Sequence, residues 1–496
     1  MEKYVLGFDI GTTGTRAMIF DRKSQEMASA YSEFPQYFPQ DGWVEHDAQE
    51  IYDITLKMAA EALKKGNIKP EQIASIGIAN QRETTVIWDK KTGIPACRAI
   101  VWQDRRTLPI CERLKALDGE NFVRRTGMIL VPNDAATKIA WLMENREEIR
   151  HGLEEGDLIY GTIDTWMVWK LTEGKVHITE PSNNSVTLLQ NAETLDYDAE
   201  ILKVLNIPRH ILPEIRKSSE IYGYTEPAQF FGASVPIGGI LGDQQAAAIG
   251  QGCLKPGTAK NTYGTGSFIV MNTGDRYIAP SDGIFSPVIY TKDDLVSYGL
   301  EGMADVSGAV IQWLRDGIGM IQSAEEAEKL ALQAESNMGV YFVPAFVGLG
   351  APYYDSYARG TIIGLSRGAD KRHVARAALE SMAFQVRDSF EMLERKSGMK
   401  LTRLRADGGG AKSDFMLQFQ ADILGVPVER PEITETTCLG GVYMAGLAAG
   451  YWDSIDQVAE FWRVEKSFEP TITDTQRQDQ IAMWKKAIER AGGWLK

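Results

Sequence analysis

The sequence predicts an α/β protein made of two similar domains that pack closely, with a hinge between them. Short uncharged runs such as 73–79 and 237–241 alternate with helical patterns, which is typical of buried strands covered by helices. A chain of 496 residues is also long enough for more than one domain. Two apolar runs flank a glycine-rich turn at 5–20 and again at 259–271, which indicates an internal duplication with a boundary near residue 250.

The composition favours small molecules over polymers as partners. A net charge of −14, from 53 basic and 67 acidic residues, disfavours nucleic acid or an anionic membrane as the main partner. Four cysteines without a C-x-x-C pair favour reduced thiols over disulfides or zinc. The most apolar stretch, 439–452, is too short to span a bilayer, and no signal-peptide pattern is present. We expect a cytoplasmic protein without an integral membrane segment.

The first glycine-rich turn, 11–15, is a candidate phosphate loop. Glycines let the backbone approach a ligand, and successive N–H groups in such a turn form an anion site. The turn itself contributes Thr12, Thr13 and Gly14, whose hydroxyls and backbone N–H groups could bind a phosphate. Arg16 beside it adds a positive charge for the phosphate, and Asp9 adds a carboxylate for Mg²⁺. A solvated hairpin turn is the alternative, because Gly and Thr are common in turns.

Polar residues that follow two buried strands are candidates for binding a hydroxylated acceptor. Arg82 and Glu83 follow strand 73–79, where an arginine donor and a glutamate acceptor could grip one hydroxyl from both sides. The alternative is an exposed ion pair of little energetic value. Trp102 and Phe268 could cover the carbon face of a small polyol, although an isolated aromatic residue is more often part of the core.

Asp243 is the candidate general base, because it follows strand 237–241 at the predicted cleft. The alternative is a structural role as the N-cap of a helix that begins at Gln244.

The second half contains a further glycine turn that could bind a nucleotide. Residues 407–410 end a strand and lead into a helix predicted at 413–424, and a glycine turn before a helix N-terminus suits an anion. We also predict a helix at 302–317, which includes Gly308 and Gln312, and a strand at 339–346. Glycine turns in both halves suggest a nucleotide held between the two domains.

Five motifs together resemble the FGGY carbohydrate kinases, and the resemblance covers nearly the whole chain. The motifs are 42–47 (GWVEHD), 80–85 (NQRETT), 242–246 (GDQQA), 261–266 (NTYGTG) and 348–353 (GLGAPY). The resemblance implies two RNase H-like domains of the actin-type ATPase fold with a central cleft. Residues 1–250 would bind polyol and phosphates, and residues 251–496 would bind the nucleotide. A homo-oligomer, either a dimer or a tetramer, is the expected assembly.

The family resemblance also implies an activity, ATP-dependent phosphorylation of glycerol to sn-glycerol 3-phosphate. Its acceptor residues would be Arg82, Glu83, Asp243 and Gln244, with Phe268 and Trp102 beside them and Asp243 as the base. Mg²⁺ would be organised by Asp9 and Asp243. The nucleotide and its phosphates would be held by Thr12, Thr13, Gly14, Arg16, Thr265, Gly308, Gln312, Gly409 and Ser413.

Two positions depart from the family pattern. Members that phosphorylate glycerol usually have a tyrosine that contacts it where this chain has Asn133, and an asparagine beside the adenine where it has Ser413. Losing the tyrosine removes apolar wall and one hydroxyl, so a related polyol or short ketose is an alternative acceptor (erythritol, dihydroxyacetone or a pentulose). An actin-like or Hsp70-like ATPase is a further alternative, although it has no need for Arg82 and Glu83 with Asp243.

Overall fold

The computed structural model describes residues 2–281 and 283–496. The strands are β1 Tyr4–Ile10, β2 Gly14–Phe20, β3 Glu26–Glu33, β4 Glu45–His46, β5 Ile73–Asn80, β6 Val86–Asp89, β7 Ala99–Ile100, β8 Leu158–Gly161, β9 Ile178–Thr179, β10 Glu214–Ile215, β11 Ser219–Tyr224, β12 Pro236–Gly242, β13 Ala259–Tyr263, β14 Ser267–Gly274, β15 Val288–Lys292, β16 Leu295–Ala304, β17 Tyr341–Val343, β18 Thr361–Ile363, β19 Leu404–Asp407, β20 Val428–Pro431 and β21 Val464–Phe468.

The helices are α1 Ala48–Gly66, α2 Leu108–Thr126, α3 Ala135–Asn145, α4 Glu147–Glu155, α5 Ile163–Leu171, α6 Pro181–Asn184, α7 Ala199–Val204, α8 Asp243–Gly250, α9 Gly308–Gln312, α10 Ala324–Leu332, α11 Lys371–Ser397, α12 Asp414–Leu424, α13 Thr436–Ala448, α14 Ile455–Ala459 and α15 Asp474–Ala491.

Two large mixed sheets share one topology. The first has the strand order β11-β12-β5-β1-β2-β3, and the second has the order β15-β16-β14-β13-β19-β20-β21. In the first, β1 pairs antiparallel with β2 and parallel with β5, which in turn pairs parallel with β12. In the second, β13 pairs in the same way with β14 and β19, and β19 with β20. The predicted duplication of the fold is therefore confirmed.

The alternation of side chains along β1 separates two cores. Leu6, Phe8 and Ile10 are buried with residues of α1 and α5 on one face of the first sheet. Val5 points to the other face and belongs to a core that includes Val270 of the second sheet and Val442 of α13. The two halves of the chain are thus joined by a shared apolar core.

Helix α13 comes from the second half of the chain but packs on the first sheet. Glycines on three adjacent strands make this approach possible, because a side chain there would collide with the helix. A Cβ atom would lie 2.5 Å from the nearest atom of α13 at Gly7, 2.2 Å at Gly77 and 2.3 Å at Gly239. The start of the helix lies near the carboxyl end of β1, since Glu435, the residue before it, is close enough to Asp9 to raise the pKa of that carboxyl.

The prediction of a helix over 302–317 is wrong in its first part. Strand β16 runs to Ala304 because it pairs with β14 and β15, and α9 begins only at Gly308. The strand predicted at 339–346 is present only as Tyr341–Val343. Tertiary pairing overrides local pattern in both places.

Among the described residues, each helix is either too short or too polar to span a lipid bilayer. The four cysteines are free thiols, and three of them are buried.

Candidate active site

The carboxyl ends of three parallel strands of the first sheet bring its candidate residues together. Asp9 lies in register with Ala79, and Asn80 with Gly242, so β1, β5 and β12 end at one edge. Arg82 follows β5 by two residues, and Asp243 follows β12 directly. This edge is where open α/β sheets bind ligands.

The first glycine turn is braced from two sides. The N–H of Gly11 donates to the carbonyl of Gly14 at 2.9 Å, and Gln81 Nε2 donates to the carbonyl of Gly11 at 3.0 Å. Trp102 Nε1 donates to the hydroxyl of Thr12 at 2.8 Å, so this indole contacts the turn directly. Thr13 is exposed at its tip.

Arg16 follows this turn but has a partner within the protein. Its guanidinium forms an ion pair with Glu435, the residue before α13, and lies 5.4 Å from the ring centroid of Tyr31. Both members of the pair keep some exposure, 27% and 39% of their side chains. Arg16 therefore lies at the junction between the turn and the second half of the chain.

The second glycine turn, between β13 and β14, is held by the start of α9. The N–H of Gly308 donates to the carbonyl of Gly264 at 2.9 Å, and that of Ala309 to the carbonyl of Thr265 at 3.1 Å. A Cβ at Gly308 would lie 2.6 Å from the Gly264 carbonyl oxygen, so only glycine permits this contact. Thr265 and Gln312 are both exposed.

The third glycine turn lies beside the second, because Thr262 of β13 and Asp407 of β19 are in register. Gly408 has a φ of 83° and packs against Tyr263, whereas a Cβ at Gly409 would meet nothing within 4 Å. Open space at Gly409 leaves room for a ligand at the backbone. Ser413 caps α12 and donates to Glu328 Oε1 at 2.9 Å.

Arg82 lies between the two halves of the molecule. Its Nη1 and Nη2 each donate to a different oxygen of Glu301 at 2.7 Å, and its Nε lies 3.3 Å from Asp243 Oδ1. The side chains of Arg82 and Glu301 are only 12% and 2% exposed. An exposed ion pair is therefore the wrong interpretation of Arg82.

Asp243 is the first residue of α8, and Gly242 is its N-cap. One carboxylate oxygen accepts a 2.7 Å hydrogen bond from the N–H of Gln244. Burial raises the pKa of Asp243 above its usual range, although the charge of Arg82 opposes the shift. A carboxylate of raised pKa is a better proton acceptor at neutral pH.

Glu83 and Asn133 are connected through a buried lysine. Lys138 Nζ donates to the carbonyl of Glu83 at 3.2 Å and also to the carbonyl of Asn133. Glu83 has a φ of 65°, a left-handed conformation that is strained for a glutamate. Burial raises its pKa to about 7. The N-cap of α3 is Asp134, so Asn133 does not cap this helix.

The carboxylates near Asp9 suit Mg²⁺ in a phosphate complex. Burial raises the pKa of Asp9 to about 7, and the nearby charges of Asp243 and Glu435 add to the shift. Within the described residues no group of three His, Cys, Asp or Glu side chains could hold a metal by itself. Mg²⁺ commonly uses one or two carboxylates together with water and substrate phosphates, so Asp9 and Asp243 fit as its protein donors.

Three charged residues of this site were not among the sequence-based candidates. They are Lys138, Lys260 and Glu301, and each is buried. A single charged residue within an otherwise uncharged strand could have identified Glu301, which is the one charge in β16. Phe268 lies on β14 opposite Met303 and is half-buried.

The two matching sheets and the glycine turns of both halves define the class of two-domain, actin-type ATPases and sugar kinases. Models of the FGGY family of carbohydrate kinases match the chain, with the N-terminal domain at residues 4–250 and the C-terminal domain at residues 259–449. The chain belongs to this family.

Similar proteins match along the whole chain. Glycerol kinase 2 of Thermotoga maritima is 49% identical over 495 residues, which cover 100% of both chains. The glycerol kinase of Petrotoga mobilis is 51% identical over 496 residues, 100% of this chain and 99% of the relative. A crystal structure of Plasmodium falciparum glycerol kinase with ADP superposes with a TM-score of 0.94 at 34% identity, covering 99% of this chain and 98% of that one.

Proposed function

We propose that the protein transfers the γ-phosphoryl group of ATP to a terminal hydroxyl of glycerol, giving ADP and sn-glycerol 3-phosphate. Glycerol kinases about half identical to it over the full chain support this acceptor. The observation that carries the proposal is the Arg82–Asp243 contact of 3.3 Å at the edge where β5 and β12 end. It places a cationic hydrogen-bond donor beside a carboxylate of raised pKa.

In this mechanism the acceptor is bound by groups of complementary polarity. Arg82 and the NH₂ group of Gln244 donate to hydroxyls, Glu83 accepts from another, and Phe268 covers the carbon chain. Asp243 accepts the proton of the attacking hydroxyl through its carboxylate, and Trp102 lies at the boundary between acceptor and phosphates. A base placed in this way contributes about 10²- to 10⁴-fold to the rate.

The phosphates and the nucleotide are bound by the glycine turns. Thr12, Thr13, Gly14 and Arg16 contact the transferred phosphate, and the remaining nucleotide contacts come from Thr265, Gly308, Gln312, Gly409 and Ser413. Asp9 and Asp243 would hold Mg²⁺, which when bound neutralises phosphate charge.

The domain assignment follows from these sites. Residues 1–250 form the polyol- and phosphate-binding domain, and residues 251–496 form the nucleotide-binding domain. Helix α13 belongs to the second domain by sequence but packs on the sheet of the first domain. Closure of the cleft would exclude water that otherwise hydrolyses ATP.

The cellular setting is part of the same proposal. Free thiols at all four cysteines support the cytoplasm, which keeps thiols reduced. The assembly is a dimer or tetramer of identical chains, which light scattering after gel filtration tests directly.

A related polyol or short ketose is the second candidate acceptor. It is favoured by the position of Asn133, whose carbonyl shares Lys138 with Glu83. A shorter, polar side chain at this place leaves room and hydrogen-bonding groups for a longer acceptor, such as erythritol.

ATP consumption with a panel of polyols and ketoses tests the function. The proposal expects glycerol to give the highest kcat/KM, with Asp243→Asn at least about 10²-fold slower and still able to bind nucleotide. ADP release that no polyol stimulates would contradict it, and near-normal turnover of Asp243→Asn would remove Asp243 from the mechanism.

A further inference from the structure

Glu301 holds a first-domain acceptor residue although it lies in the second sheet. Both of its oxygens accept from Arg82, through two separate hydrogen bonds of 2.7 Å. Such a fork fixes the orientation of a guanidinium, because rotation breaks both bonds. The remaining Nε of Arg82 faces Asp243. The direction of Arg82 in the acceptor site is therefore determined by a residue of the other domain.

Lys260, also in the second sheet, binds a second acceptor residue of the first domain, Gln244. Its Nζ donates to Gln244 Oε1 at 2.6 Å and to Thr262 Oγ1 at 3.0 Å. Lys260 is fully buried. Because an amide oxygen held by an ammonium cannot rotate freely, the Gln244 NH₂ group remains directed away from Lys260.

The register of the second sheet shows that these two charges share one face. Val270 of β14 lies opposite Lys260 of β13 on one side and opposite Glu301 of β16 on the other. Directly opposed residues point to the same side of a sheet. Val270 itself belongs to the core that joins the two halves. Lys260 and Glu301 are thus both directed toward the first domain.

The same strands carry the nucleotide turns. β13 ends at Tyr263, immediately before the turn that contains Thr265. β14 and β16 follow that turn and precede Gly308. A shift of this sheet when nucleotide binds therefore moves Lys260 and Glu301 together with the turn.

We propose that Glu301 and Lys260 are positioning residues, which hold Arg82 and Gln244 for the acceptor and make acceptor affinity depend on bound nucleotide. The inference rests on the acceptor roles that the proposed function gives to Arg82 and Gln244. It adds that part of the acceptor site is built by the nucleotide-binding half of the chain.

Steady-state kinetics of Glu301→Gln provide the first test. Glutamine has the shape of glutamate without its negative charge, so Arg82 loses one charged partner. The glycerol KM should therefore rise by roughly 10- to 100-fold while the ATP KM changes little. Glu301→Asp retains the carboxylate and should recover part of the loss. The matched control is Glu380→Gln, which breaks another buried Arg–Glu pair, Arg376–Glu380, at 2.7 Å in α11. It should leave the glycerol KM unchanged.

Calorimetric titration of glycerol with and without ADP is the second test. Nucleotide should tighten glycerol binding by about 5- to 150-fold in the wild type, and Lys260→Met should bring this factor toward one. If ADP tightens glycerol binding equally in the wild type and in Lys260→Met, or if Glu301→Gln leaves the glycerol KM unchanged, this inference is overturned. The proposed function would stand in either case. A wild type that phosphorylates no polyol overturns the proposed function and this inference with it. If Glu301→Gln does not fold, Glu301→Asp and Lys260→Met decide the question.

Discussion

The indole N–H of Trp102 donates a 2.8 Å hydrogen bond to the hydroxyl of Thr12. This bond joins the residue expected beside the polyol to the turn expected to bind phosphate. It also leaves the Thr12 hydroxyl proton free for an acceptor on the ligand, because the hydroxyl oxygen is the atom that accepts from Trp102.

We therefore expect Trp102→Phe to affect the nucleotide more than the acceptor. An aromatic ring remains while the N–H donor is lost, so the ATP KM should rise about 2- to 10-fold with a smaller change for glycerol. A double-mutant cycle with Thr12→Val isolates the bond. Additive effects of the two changes on the ATP KM would show that the bond does not act on the nucleotide.

Asp9→Asn should weaken apparent Mg²⁺ affinity by at least about 10-fold, with little change in glycerol affinity, because a hard divalent ion prefers carboxylate oxygen. Mg²⁺ titration of the reaction at saturating ATP measures the effect. Asp53→Asn, on the exposed side of α1, is the control. Overlapping titrations of the Asp9 variant and the wild type would assign the metal to another residue.

Glu83 should make the ligand-free protein less stable as the pH rises. Burial raises its folded-state pKa from 4.5 to about 7, so the folded protein holds a proton that the unfolded chain releases. Its contribution to the free energy of unfolding is fully present below about pH 4.5 and is lost as the pH rises to about 7.

Urea unfolding of the wild type and Glu83→Gln between pH 4.5 and 8 measures this contribution. The variant should become relatively more stable by on the order of 2 kcal/mol across that interval. Glu154→Gln, at an exposed position of α4, should show no such trend. A wild type and Glu83→Gln that change in parallel would mean that Glu83 titrates normally.

Asn133→Tyr should shift specificity toward glycerol. The tyrosine restores apolar wall and a hydroxyl, and pocket changes of this kind alter specificity by about 10- to 200-fold. The carbonyl of residue 133 can still accept from Lys138, since any side chain leaves it in place. The readout is the ratio of kcat/KM for glycerol and erythritol.

Asn133→Phe separates the two contributions of the tyrosine, since it supplies the wall without the hydroxyl. An unchanged ratio in both variants, with ATP parameters as in the wild type, would place the side chain of residue 133 outside the pocket.

Local sequence was sufficient for the parts of this protein that depend on short-range chemistry. Two apolar runs around a glycine-and-threonine turn form an antiparallel hairpin in each half, so β1–β2 and β13–β14 could be predicted together with their turns. Single polar residues after a buried strand, such as Arg82 and Asp243, lie at the strand ends for the same reason. The helix predicted at 302–317 failed because the β16 strand is stabilised by pairing on both sides, which no local pattern contains.

The fold class, the duplication and most candidate residues could thus be predicted, because they follow from hydrophobic periodicity and turn chemistry over a few residues. The partners of these residues depend instead on contacts between distant parts of the chain. Glu301 meets Arg82 across 219 positions of chain, and Lys138 reaches Glu83 across 55. Such contacts depend on the relative placement of the two sheets and of α3. That placement arises from the burial of apolar surface summed over many residues, and no single residue encodes it.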